Sequence, residues 1–512
     1  MTISRIAKLF AAANISQAVN ILTQLLLPPT FLHVFGTGLY GQWITLSASI
    51  SYLSTLNYGL QTYTNMQMTI HYNRGEIQAC RELQSAGLRI LLSAFVASAA
   101  LLLFVFFVPL QSWLHLTIPQ RSAQLTLYFF GLQAMSTMVF GFFAGSYMVF
   151  GEAHRGANTS SAYQLLSTLT TAGLVLFRAP FAFIAAIQVL VTLSFSAFLY
   201  FDLSKRAPDI KPTVQYWKTG SLSEILKPSA QYMLLASGNL LAFQVPVVLM
   251  QRILGPAAVV VYSVTRTIYS MSRRLLYLVT NSLGPEVTII YGQQDWSRLY
   301  RLYDLSERVI LLLVPPITFG SMLATPLLMK LWLHKANLYN PSVCILLGLT
   351  VSVLSIKEHK YQFQFSSNKI AAISYLTIVS YTVLSLIAVP AMLRFGLQGF
   401  LVTWLVCETL QLFYLLHLND LLFGESAKLD HNPVYKLFGV LAVGTCALYW
   451  PIVHITQYDY LLQTIVALGC TVLTAVASYW IFRVDEVRNV LWEKLAIKLQ
   501  SLSARYSKRR IY

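Results

Sequence analysis

Apolar residues run along this 512-residue chain in blocks of about twenty, separated by short polar segments, from near its start to within about thirty residues of its end. A helix crosses the hydrocarbon of a bilayer in about 20 mostly apolar residues. On that scale the pattern predicts fourteen spans, at 9–34, 41–62, 88–109, 123–150, 158–177, 180–201, 229–250, 257–281, 308–333, 341–356, 370–392, 395–417, 435–454 and 461–483. The expectation is an all-α polytopic membrane protein, since helices satisfy their own backbone hydrogen bonds in lipid. Composition agrees: 56% of residues are hydrophobic and 11% charged, and the mean hydropathy is +0.60. A soluble domain carries about a quarter charged residues. A soluble enzyme, a disordered chain and a disulfide scaffold are therefore excluded. Cys80, Cys344, Cys407, Cys446 and Cys470 are scattered without paired-ligand spacing, so neither zinc nor a disulfide framework is expected. The opening Met1-Thr2-Ile3-Ser4-Arg5 runs past Lys8 into an apolar stretch with no small-residue cleavage site, so no cleaved leader is expected.

The formal charge is +17. The basic residues fall between apolar runs and make no patch interleaved with aromatics, so nucleic acid is not an expected partner. With a cytoplasmic N-terminus, 27 of the 36 lysines and arginines lie inside, six outside and three within span eight. This count includes Arg308, Lys357 and Lys360 as inner-segment residues. That asymmetry fits the positive-inside rule with both termini cytoplasmic. The stretch Leu491–Arg510 mixes Leu, Ile and Trp492 with Lys and Arg; it either lies on anionic phospholipid of the inner leaflet or is an unstructured basic tail.

A shift of 219 residues superposes two regions without a gap. Asn20 falls on Asn239, Gly36 on Gly255, Tyr72 on Tyr291 and Glu76 on Asp295. The matched loops are polar, which favours duplication over chance likeness of apolar sequences. Six spans precede the second copy, so both copies have one orientation, as in parallel repeats with a substrate path between two bundles. The predicted organisation is a six-helix bundle at 1–204, a cytoplasmic linker at 205–228, a second six-helix bundle at 229–420, an extra helix pair at 435–483 and a basic cytoplasmic tail at 484–512.

Polar residues at membrane depth are costly and face a bundle interior or a wet cavity. Asn14, Gln17, Asn20 and Gln24 recur at three- and four-residue steps on one arc of span one, and Gln231, Asn239 and Gln244 occupy the matching span seven. They either bond helix to helix or line a cavity that accepts sugar hydroxyls. Arg266 lies about ten residues, hence about 15 Å, into span eight. Tyr262, Arg266, Tyr269 and Arg273 form a stripe there. A guanidinium stays charged and grips phosphate through a bidentate fork, so anion binding is favoured over structural pairing for Arg266. Arg273 and Arg274 lie nearer the inner interface, where they either snorkel or guard the mouth of the cavity. Glu408 is the only carboxylate read as clearly inside a span; it either binds a coupling proton or sodium ion or neutralises a neighbouring arginine. Pro28-Pro29, Pro246 and Pro315-Pro316 are expected to bend their helices. The chain shows no phosphate-cradling Gly-rich loop with Lys-Ser/Thr and no room for a soluble catalytic domain.

The stretch Gly36-Thr37-Gly38-Leu39-Tyr40-Gly41-Gln42-Trp43, then Leu56-Asn57-Tyr58-Gly59-Leu60 and the loop Asn73-Arg74-Gly75-Glu76, resembles bacterial polysaccharide-lipid flippases. The resemblance returns at Arg252-Ile253-Leu254-Gly255-Pro256 through Tyr262 and at Pro285-Glu286. These are O-antigen (Wzx-type) transporters of the multidrug/oligosaccharidyl-lipid/polysaccharide exporter superfamily. The resemblance implies two parallel six-helix bundles in a MATE-like V, plus a C-terminal helix pair. It implies a non-enzymatic carrier of undecaprenyl-diphosphate-linked oligosaccharide, an O-antigen or exopolysaccharide unit bound for lipopolysaccharide or another surface glycan. Transport would run from the cytoplasmic to the periplasmic leaflet of the inner membrane, with a polysaccharide polymerase and chain-length machinery as partners and no cofactor beyond a coupling proton or sodium ion. Arg266, with Arg273 and Arg274, would hold the diphosphate; Asn14, Gln17, Asn20, Gln231, Asn239 and Tyr262 would line the sugar cavity. The alternatives are a peptidoglycan-precursor flippase and a cation-coupled multidrug antiporter with Glu408 as coupling acid. No Asp or Glu precedes Glu76, which weighs against the antiporter. A membrane-embedded polymerase or ligase is disfavoured by the short outer segments.

Overall fold

The computed structural model describes residues 2–51, 61, 63–65, 67–69, 71–72, 74–216, 237–238, 240–284, 287, 290–291, 293–367, 369–424 and 428–482. Nearly all of them are helical. The main helices are α1 (Thr2–Val34), α2 (Gly36–Ile50), α3 (Ile77–Leu102), α4 (Gln120–Ser146), α5 (Ala153–Leu176), α6 (Phe181–Arg206) and α7 (Val245–Ile253). They continue with α8 (Pro256–Ser282), α9 (Trp296–Leu333), α10 (Pro341–Ser366), α11 (Ile370–Phe423), α12 (Asn432–His454) and α13 (Tyr460–Phe482). Eight helices among the described residues are long and apolar enough to cross a membrane. Helices α1, α5 and α8 are long enough, but polar side chains interrupt them. The apolar run Ala371–Phe423 has 53 residues, about 80 Å at 1.5 Å per residue. That is more than twice the ~30 Å of hydrocarbon, so α11 holds two spans; the described helices are roughly consistent with the fourteen predicted spans, of which those at 41–62 and 229–250 run into residues outside the described ones.

The join within α11 is Gly396, at φ 62° and ψ −148°. Only glycine adopts that conformation without strain. A Cβ there would meet nothing within 4 Å, so the cost of Gly396→Ala lies wholly in the backbone. We expect it to destabilise the protein by about 1–3 kcal/mol. Gly173 in α5 is equally open but carries no such φ, and Gly173→Ala should stabilise by roughly 0.5–1 kcal/mol. Thermal unfolding of the two detergent-solubilised variants checks the contrast; equal midpoints would remove the strain argument.

The duplication is written into the backbone. Gly36 and Gly255, Gly75 and Gln294, and His115 and His334 all have positive φ, and each pair is separated by 219 residues. A non-glycine residue enters that region only against a steric cost, so the coincidence of His115 with His334 is not a by-product of composition. Helices α3 and α9 start at Ile77 and Trp296, again 219 apart. The residues before them also correspond. Asp295 Oδ1 accepts from the Arg298 amide at 3.1 Å and the Ser297 hydroxyl at 2.9 Å, an N-cap whose bonds hold the carboxyl below the usual carboxylate range. Glu76 instead meets His71 Nδ1 at 2.5 Å.

Two compact units are present. The first comprises Met1–Val264, Trp332–His334 and Thr377–Phe400. Within it α4 packs on α3 and α6, α1 on α5, and α2 on α7. Trp43 lies 4.8 to 5.1 Å from the rings of Phe31, Phe130 and Phe181. A Cβ on Gly41 would come 2.4 Å from the Pro256 carbonyl oxygen, so the close approach of α2 to the start of α8 requires glycine there. Buried Gln42 bonds Thr117, and Gln251 donates to the Leu114 carbonyl at 3.1 Å. Pro246 sits in the first turn of α7, where its missing N–H costs nothing. Pro28 and Pro29 lie inside α1, which runs unbroken as one helix.

The second unit comprises Thr265–Leu331, Lys335–Leu376 and Leu401–Tyr512. A Cβ on Gly348 of α10 would meet Met322 and Tyr269; one on Gly444 of α12 would meet Phe319. Tyr339 donates to the Ile452 carbonyl at 2.7 Å, and Lys330 lies over the Tyr460 ring at 4.1 Å. Pro315 and Pro316 lie inside α9, which also runs unbroken. Large apolar residues such as Leu461, Val443 and Trp480 are exposed on α12 and α13, as a surface solvated by acyl chains allows.

Candidate functional site

Residues Lys357-Glu358-His359-Lys360 occupy four consecutive positions in α10. Successive helical residues turn by about 100°, so the quartet spreads charge around the whole helix. Lys357 Nζ pairs with the Glu408 carboxylate of α11 and donates to Gln411 Oε1 at 3.1 Å. The other Glu408 oxygen accepts from Trp404 Nε1 at 2.8 Å. Glu358 Oε1 lies 3.2 Å from Arg273 Nη1 of α8. His359 Nε2 is 2.7 Å from the Ser306 hydroxyl of α9. Lys360 pairs with Glu307 of α9 and lies over the Tyr303 ring at 4.2 Å, a cation–π contact. Buried ion pairs survive only with their remaining hydrogen-bond capacity filled.

Two pairs meet that condition and one does not. Lys357–Glu408 and Lys360–Glu307 are sealed, with Glu408 and Lys360 fully buried. Arg273–Glu358 is about a quarter exposed on each side. Glu358 Oε2 is buried without a hydrogen-bond partner, and so is Arg274 Nη1. Arg266 is half-buried, ten residues from the start of α8. This part of the second unit pairs Arg273, Lys357 and Lys360 with Glu358, Glu408 and Glu307, and next to Arg273 in the chain Arg274 keeps a buried Nη1 without an acceptor.

The site departs from the sequence expectations in three ways. Span ten, expected at 341–356, is the helix Pro341–Ser366, so Lys357 and Lys360 lie within the helix and not in a segment after it. Both are buried inside the unit. Glu408 is not alone, because Glu307 is also buried and Glu358 half-buried in helices. Its neutralising partner is a lysine, not an arginine. The signal available in the sequence was the helix end: Ser366-Ser367-Asn368-Lys369 marks it, and the charged quartet does not.

In the first unit, Asn14 is exposed and Gln17 half-buried. Asn20 Oδ1 accepts from Gln164 Nε2 of α5 at 2.7 Å, one rung of a ladder that continues as Thr23–Thr168 at 2.8 Å. Gln188 of α6 donates to the Ser167 carbonyl at 3.0 Å, and Tyr163 meets Thr192 at 3.0 Å. Tyr262 is fully buried, its ring edge-on to Phe400 at 5.8 Å, the surroundings of a packed side chain. Gln231 and Asn239 lie outside the described residues. Among the described residues no three His, Cys, Asp or Glu are grouped to hold a metal ion.

The duplication isolates what is special here. At the 219-residue shift, Lys357, Glu358, His359 and Lys360 fall on Met138, Val139, Phe140 and Gly141. Glu408 falls on Val189, Glu307 on Leu88 and Arg266 on Ser47. One copy of the repeat thus folds without these charges. The architecture does not require them.

A groove of about 380 Å³ runs beside the sealed pair, lined by Leu349, Val353, Leu405, Thr409, Phe438 and Leu441. Its lining is almost wholly apolar, suited to a hydrocarbon chain and not to a sugar.

No protein-family model and no curated protein sequence matches the chain. Solved structures do. A lipid II flippase MurJ, in an inward closed conformation, superposes with a TM-score of 0.66 over 94% of this chain and 99% of that one, at 12% identity. The fold is MurJ- and MATE-like. An inward-facing MATE-family multidrug transporter of the MOP superfamily gives 0.62 over 80% of this chain and 94% of its own, at 14% identity. The MATE multidrug transporter DinF-BH gives 0.54 over 81% and 94%, at 16% identity. At these identities the likeness establishes the fold.

Proposed function

We propose that the chain is a transporter, not an enzyme, which moves an undecaprenyl-diphosphate-linked oligosaccharide of the O-antigen or exopolysaccharide type. Transport runs from the cytoplasmic to the periplasmic leaflet of the bacterial inner membrane by alternating access, with both termini cytoplasmic. The observation that carries this reading is the buried Arg274 Nη1, a charged donor with no acceptor. It sits on the helix that also carries Arg266 and Arg273, the latter paired with Glu358. A buried donor left unfilled costs about 1–3 kcal/mol, and a diphosphate fills several at once. The apolar groove in the same unit offers the isoprenoid tail a seat. Asn14 and Gln17, with side chains accessible on α1, are the proposed sugar contacts. Asn20 joins them only if it releases Gln164. Anionic phospholipid, a polymerase and chain-length machinery remain proposed partners, and a proton or sodium ion the proposed coupling species. The sealed Lys357 and Trp404 contacts of Glu408 favour a structural part for that carboxylate and weigh against the antiporter.

Deleting the gene should abolish surface polysaccharide and leave its lipid-linked unit on the cytoplasmic leaflet. Restoration of growth in cells depleted of their peptidoglycan-precursor flippase, with surface glycan unaffected by the deletion, would transfer the assignment to that substrate.

A further inference from the structure

Among the described residues three ion pairs join α10 to its neighbours, and one of them differs from the others in kind. Lys357–Glu408 and Lys360–Glu307 are largely buried, and each carries a further contact: Trp404 on Glu408, Gln411 on Lys357 and Tyr303 under Lys360. Arg273–Glu358 is held by one 3.2 Å contact and is partly exposed on both sides. Glu358 Oε2 has no donor, and one residue beyond Arg273 the Arg274 Nη1 has no acceptor. The charges that bear on Glu358 are Arg273 from α8, Lys357 on its own helix and Glu408 from α11. Lys357 and Glu408 already neutralise each other, so Arg273 is the cation on which the Glu358 charge depends. The equivalent of Glu358 in the first copy is Val139, so the carboxylate is not needed to build this position.

We propose that Glu358 is a proton-binding placeholder for substrate phosphate. While ionised it occupies Arg273, and when a diphosphate oxygen takes the guanidinium it accepts a proton from solution. The inference rests on the anion-binding reading of the α8 arginines given above. Removing the guanidinium takes the cation from Oε1 while Oε2 still has no donor, a charge that protonation relieves. Proton and diphosphate then bind the same state of the protein and strengthen each other equally, as linkage requires. Diphosphate affinity rises as pH falls through the titration of Glu358 and is flat on either side of that range.

The test uses the purified full-length chain in lipid nanodiscs. The probe is the symmetrical diethyl diester of pyrophosphate, whose own charge is fixed across the range studied. Calorimetry in buffers with different heats of protonation counts the protons taken up on binding. Wild-type protein is expected to take up as much as one proton, and its affinity should rise as pH falls, by at most about tenfold per pH unit for one proton. Glu358→Gln mimics the protonated acid and should bind at the low-pH affinity throughout, with no proton uptake. Arg273→Gln should weaken binding and lose the proton uptake together. Binding by the wild type that is independent of pH and proton-free would overturn the placeholder while leaving the transport assignment intact. No binding at any pH would overturn both. Should Glu358→Gln fail to accumulate, the wild-type proton count decides alone.

Discussion

Glu408→Ala should destabilise the protein by about 3–5 kcal/mol, the largest loss we expect from one substitution. Glu408 is fully buried and accepts from Lys357 and Trp404. Removing it takes the balancing carboxylate from the Lys357 ammonium, and Gln411 Oε1 is an amide that cannot replace that charge in a medium of low dielectric. The penalty belongs to the abandoned partner and not to the lost attraction. Removing both charges should therefore recover most of it, because well-packed apolar residues replace a buried pair at little cost. The first copy of the repeat supplies the residues to use: Met138 and Val189 stand where Lys357 and Glu408 stand in the second. The double variant Lys357→Met with Glu408→Val is expected to unfold close to the wild-type temperature, well above Glu408→Ala. A double variant as unstable as the single one would mean that the pair contributes through shape and not through charge.

Arg266→Ala is expected to reduce transport by at least about tenfold, since a charge-assisted hydrogen bond is worth about 1.5–3 kcal/mol. Abundance in the membrane should not change. Lysine at this position keeps the charge but loses the planar fork that engages two phosphate oxygens together, so Arg266→Lys should fall between the wild type and alanine. Surface glycan measured in cells carrying each variant, alongside the amount of membrane-inserted protein, separates transport from folding. Normal glycan with Arg266→Ala would take Arg266 out of the substrate's path.

Much of the fold is legible in the sequence because its cause is local. Apolar blocks of fixed length mark helices, and the 219-residue shift marks the duplication, which the positive-φ pair His115 and His334 then repeats in the backbone. The charge cluster is not legible in the same way. A hydropathy scan ends span ten at 356 because Lys357, Glu358 and Lys360 raise its polarity, whereas the helix continues to Ser366. What permits it to continue is the set of partners: Glu408, Arg273 and Glu307 lie 51, 85 and 53 residues away along the chain. Such complementarity exists only in three dimensions. The reverse holds for the stripe on α1. Its spacing is plain in the sequence, but the spacing cannot show that Asn20 meets Gln164, since α5 could have presented any side chain there.

Copies that keep a constant offset from Gly36 and Gly255 through His115 and His334 carry an internal reference for every position. Segments can be exchanged between them residue for residue, with no decision about alignment. Grafting Met138 to Gly141 over Lys357 to Lys360 asks what one half of the molecule does with the electrostatics that the other half never acquired.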